Sequence, residues 1–98
     1  MRTLMTVQMD TDAANRAIKD GSLPKAMEST LDQLHAEAAY FTTHDGQRTA
    51  YIVFDLQETA QIPQVAEPFF MGMNAKIDLS PVMNADDMQE GLARLPHM

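Results

Sequence analysis

Three places in this chain hold side chains that could do chemistry. Glu67-Pro68-Phe69-Phe70 sets a carboxylate beside a proline and two rings. Proline inside a helix lacks the N–H that would bond one turn back, so Pro68 frees the Gln64 carbonyl and favours a kink. A kink can turn Glu67 toward a cavity lined by Phe70, where a carboxylate serves as general acid or base. Without that turn, Glu67 is a solvated acid off the apolar stripe. Tyr40 and Tyr51 are the second place. They read either as pocket hydrogen-bond donors or as a packing pair between neighbouring strands. Asn74, two residues past Gly72, is the third: a pocket polar group or a turn residue.

The remaining polar residues are plainer. His44-Asp45-Gly46 pairs an imidazole with a carboxylate, but adjacency in a hairpin turn points the two side chains apart. Arg48 follows that turn and can clamp an anion or pair with an acid across the hairpin; the pairing is expected. His35 suits the C-terminal end of a helix, and His97 in the tail has no assigned role. The three histidines have no ligand spacing and the chain has no cysteine, so neither a metal site nor a disulfide is expected. No Ser-His-Asp set, glycine-rich phosphate loop or nucleotide fingerprint is present, and no cofactor is expected.

Composition narrows the partners. A net charge of −7 with scattered Lys and Arg argues against nucleic acid. Met1-Arg2-Thr3-Leu4 does not read as a secretory signal, and no apolar run reaches the length of a membrane span. The expected location is the cytoplasm. The nine methionines fit an adaptable core or an adaptable pocket.

The elements that must hold these residues follow from periodicity. Thr3–Met9 alternates as a strand. Asp12–Lys19 and a second run capped by Ser22, with Met27, Leu31 and Leu34 on one face, make a helix broken at Gly21. Ala36–Thr43 and Arg48–Leu56 flank Asp45-Gly46, a type I′ turn that sets Tyr40 against Tyr51 and Phe41 against Ala50. Ile62, Val65, Ala66, Phe69 and Phe70 then recur at helical spacing, with Gly72 as the expected C-cap. Ala75, Ile77 and Leu79 alternate as a strand. Asn84 caps a last helix, docked by Leu92 and Leu95.

That order is βαββαβ with an extra C-terminal helix: an α+β, ferredoxin-like plan over residues 1–98 as a single domain with a four-stranded antiparallel sheet. Ala39, Phe41, Ala50, Ile52 and Phe54 should lie under the helices. The open face would carry Leu4, Tyr40, Tyr51 and Val53 among Thr6, Gln8, Thr42 and Thr49. So apolar a face calls for a second copy packed sheet on sheet, giving a dimeric α/β barrel.

Several segments together resemble a family of small uncharacterised bacterial proteins. They are Glu37-Ala38-Ala39-Tyr40-Phe41, Asp45-Gly46 with Arg48-Thr49-Ala50, Glu67-Pro68-Phe69, Asn74-Ala75 and Pro81-Val82-Met83. Ala36 replaces a more usual proline. The resemblance implies a ferredoxin-like, dimeric α/β-barrel fold and no assigned activity. The wider superfamily includes cofactor-free monooxygenases, muconolactone-isomerase-like enzymes and ligand-binding regulators.

The expected function is therefore a homodimer, joined through the open sheet face, that binds a small apolar or aromatic molecule between sheet and helices. Tyr40, Tyr51, Glu67, Phe70 and Asn74 are its candidate ligand-binding residues. One alternative is a cofactor-free enzyme, monooxygenase- or isomerase-like, using Glu67 with Tyr40 and Tyr51. Another is a structural dimer without ligand.

Overall fold

The computed structural model describes residues 1–96; His97 lies outside the described residues. Its elements run β1 (Arg2–Gln8), α1 (Thr11–Lys19), α2 (Ser22–Leu34), β2 (Ala38–His44), β3 (Gln47–Asp55), α3 (Gln61–Met73), β4 (Lys76–Pro81) and α4 (Ala85–Ala93). The four strands form one antiparallel sheet in the order β2-β3-β1-β4. This is the α+β, ferredoxin-like plan with an added C-terminal helix.

The hairpin turn sets the sheet's register. Asp45 and Gly46 have φ of 51° and 75°, the left-handed pair a type I′ turn requires. His44 therefore opposes Gln47, Phe41 opposes Ala50, and Tyr40 opposes Tyr51. Period-two alternation then sends Met5, Val7, Ala50, Ile52 and Phe54 into the core, each 1 % exposed or less. Ala14, Ala17, Leu23, Met27, Val65, Phe69 and Met73 from α1, α2 and α3 close over them. Burying Phe69 rather than leaving it in water contributes about 1.5–3 kcal/mol.

Local chemistry ends the helices, in two cases by other residues than expected. The Asp10 carboxylate accepts from the Ala13 N–H at 2.9 Å and starts α1. α2 is entered through Gly21 at φ 82°, and Ser22 is its first helical residue rather than its cap. α3 runs through both Pro68 and Gly72; Asn74, at φ 47°, is its left-handed C-cap, donating its N–H to the Phe69 carbonyl. Asn tolerates this conformation because its short polar side chain bonds locally, so Gly72 was not needed as the stop.

Two further expectations change. Phe41 does lie on the helix-side face, but it is 59 % exposed, because β2 is an edge strand that the helix layer covers only in part. Leu92 and Leu95 do not dock α4: each is 57 % exposed, and α4 has no buried residue. A capping box between Asn84 and Asp87 nonetheless forms the helix start as expected. α4 stretches the molecule to 57 × 28 × 18 Å, with a radius of gyration of 15.8 Å. A compact chain of this length would have about 13 Å. No helix among the described residues is long and apolar enough to cross a membrane.

Candidate functional site

An apolar groove of about 280 Å³ opens between the first turns of α2 and the tip end of the hairpin. Leu23, Pro24 and Met27 form its helix wall, Met9 its base, and Phe41, Thr42, Arg48 and Thr49 its strand wall. The wall follows from the break between α1 and α2. Gly21 takes a backbone conformation that favours glycine and turns the chain, so that α2 begins immediately. Pro24 fits there because the first turn leaves its N–H groups unbonded along the helix. Leu23 and Met27 sit one turn apart on the same face. Met9 is pinned beside the hairpin by its N–H, which donates to the Arg48 carbonyl at 2.9 Å.

The groove has one charged lining residue, Arg48. Alternation puts Arg48 on the helix-side face with Ala50, Ile52 and Phe54. The other strand positions on that face are Thr3, Met5, Val7, Ala39, Phe41, Thr43, Ile77, Leu79 and Pro81, none of them charged. The expected pairing of Arg48 with an acid does not occur: Thr43 stands opposite it, and it joins none of the ion pairs among the described residues. The nearby His44 imidazole and Asp45 carboxylate approach each other at 3.5 Å at the exposed tip. Among the described residues no fully buried side-chain nitrogen or oxygen lacks a partner, so the half-buried Arg48 keeps its donors within reach of solvent or a ligand.

The five residues singled out from the sequence fall elsewhere. Tyr40 and Tyr51 oppose each other on the sheet face away from the core helices; Tyr40 is 69 % exposed and Tyr51 half-buried. Glu67 is exposed on α3, Phe70 is partly exposed on the same helix, and Asn74 serves as its cap. The sheet thus stands between Glu67 and the two tyrosines. None of the five lines the groove.

Other charged contacts are peripheral. Arg2 donates from Nε to Glu37 at 2.9 Å and from Nη1 to Asp87 at 3.2 Å; the bond to Glu37, helped by its charge, raises the Arg2 pKa further. Asp20 is held below the usual carboxylate range by hydrogen bonds from Ser22, hydroxyl first and backbone N–H second. Asp55 is likewise lowered, first by its hydrogen bond from the N-terminal ammonium.

Sequence reasoning missed the groove because its lining residues read as ordinary core. Met9, Leu23 and Met27 follow strand and helix periodicities that say only that they face inward. The available signal was the hairpin register, which places Phe41 and Arg48 on the covered face. No protein-family model matches this chain, and no curated protein matches it.

Proposed function

We propose that this protein is a homodimeric binding module for a small apolar or aromatic molecule, held between α2 and the β2–β3 hairpin. The observation that carries this reading is the groove itself. Its wall combines Met9, Met27, Leu23, Pro24 and Phe41, side chains that adapt to rings and aliphatic bodies. Its volume of about 280 Å³ sits near the lower end of small-molecule sites, which run about 300–1,000 Å³. Phe41, 59 % exposed at its mouth, gives a ligand an aromatic face to cover.

The dimer reading is supported by two uncovered surfaces. The open sheet face carries Leu4, Tyr40, Tyr51 and Val53. α4 adds Met88 and Leu92 at i, i+4 spacing, 47 % and 57 % exposed, with Leu95 just beyond its end. A nine-residue helix is too short to be stable alone in water, so an uncovered α4 needs a surface to pack on. A second copy supplies it, since a two-fold pairing presents the same face from both sides.

A thermal-shift screen with apolar and aromatic compounds tests the binding reading. A saturating ligand at about 100 times its Kd stabilises by about 2.7 kcal/mol, which raises Tm by ten degrees or more at about 4–8 °C per kcal/mol. Met27→Phe, which fills the groove, should abolish that rise while leaving the circular dichroism unchanged. A library without any stabilising member, or a rise that survives Met27→Phe, contradicts the proposal.

A further inference from the structure

We infer that the molecule taken up in the groove is a monoanion, an aromatic or branched aliphatic carboxylate, whose charge is read by Arg48. The inference rests on the binding reading above and names the ligand class of the same site. Three observations converge on it. Arg48 is the one charged residue on the helix-side face of the sheet, where the other strand positions are apolar or hold threonine or proline. It lines a groove whose other members are Met9, Leu23, Pro24, Met27, Phe41, Thr42 and Thr49. It makes no ion pair among the described residues, in a chain with fourteen acidic residues and only seven Lys and Arg.

The last observation weighs most. Two of the four arginines hold carboxylates, Arg2 with Glu37 and Asp87 and Arg94 with Glu90, while Arg16 and the three lysines join no ion pair among the described residues but are exposed to water. Arg48 is half-buried beside apolar side chains and still lacks one. A guanidinium partly withdrawn from water gains most from a carboxylate that arrives with its own apolar body, because the body excludes water from the pair. The planar fork can bond both carboxylate oxygens while the ring or branched chain lies against Phe41 and Met27. The net charge of −7 repels anions at long range, so recognition must come from this local fork and not from steering.

The test compares matched pairs on the full chain: 1-naphthoate against 1-naphthamide, and phenylacetate against phenylacetamide. Binding is followed by NMR of methyl-labelled methionine, with Met9 and Met27 as reporters inside the groove. The carboxylates should bind at least tenfold more tightly than the amides, and higher salt should narrow the difference. Arg48→Met and Arg48→Gln should each erase the preference, bringing acid and amide affinities to within about twofold of each other. Equal binding of acid and amide to the unmodified chain, or a preference that persists in both variants, overturns the charge assignment but leaves the apolar groove standing. No shift of Met9 or Met27 with any of the four compounds overturns both.

Discussion

Arg2 Nη1 donates to Asp87 Oδ2 at 3.2 Å, and this contact fixes the side of the sheet on which α4 begins. Arg2 shares the β1 face of Leu4, Thr6 and Gln8, the face turned away from α1, α2 and α3. The first turn of α4 is therefore tied to the open-face side by an exposed ion pair, and its Met88 and Leu92 side chains are left uncovered. Both uncovered surfaces enter the proposed dimer interface.

The proposed interface predicts how the assembly responds to a charge. Tyr40→Asp places a carboxylate at a position that is 69 % exposed in the protomer, so the fold should stand unchanged. In a sheet-on-sheet dimer the same carboxylate is withdrawn from water among apolar side chains without a partner, which opposes association. Sedimentation velocity should show a dimer for the wild type at micromolar concentration and a monomer for the variant. A wild-type monomer, or a variant dimer of equal affinity, contradicts this interface.

α4 gives an independent reading of the same assembly. Because it has no buried residue and only nine residues, its helicity should depend on the partner. Far-ultraviolet circular dichroism per residue should rise with protein concentration through the dimer dissociation constant. Leu92→Asp should remove that rise. A helical signal constant from nanomolar to tens of micromolar, in a chain that does dimerise, would mean that α4 stands without the second copy.

Stability at low pH should carry the mark of Asp20. Its carboxyl is held low by the Ser22 hydroxyl and backbone N–H, so the ionised form is favoured in the folded state. A depressed folded pKa contributes stability above the unfolded value of about 3.9, and that contribution is lost as pH falls through the lowered folded value. Asp20→Asn should therefore lower Tm slightly at neutral pH and flatten its decline between about pH 5 and pH 3, so that the two proteins converge in acid. Equal acid slopes for the two proteins would remove Asp20 from the account.

Much of the fold was legible because strong local signals agreed with the global plan. Asp45-Gly46 dictates a turn that fixes every pairing of β2 with β3, and Asn84 with Asp87 dictates a helix start. The readings that changed depended on what lies across space. Gly72 looks like a stop from its type alone, yet the helix ends where Asn74 can take the left-handed turn. Leu92 and Leu95 announce an apolar stripe without saying what it packs on. The groove depends on how far α2 reaches over the edge strand, a distance no periodicity contains. Arg48 was visible as a possible anion clamp, but its lack of an acidic partner emerges only from the three-dimensional register.

The most direct measurement of the central claim uses Phe41→Trp. The chain has no tryptophan, and Phe41 lies at the mouth of the groove with room around it, so the variant carries one fluorophore at the proposed site. Titration with the best ligand from the thermal screen should give a saturable spectral change with one site per protomer. Met27→Phe in the same background should abolish it. A linear, unsaturable response, or a saturable one indifferent to Met27→Phe, would contradict binding in the groove.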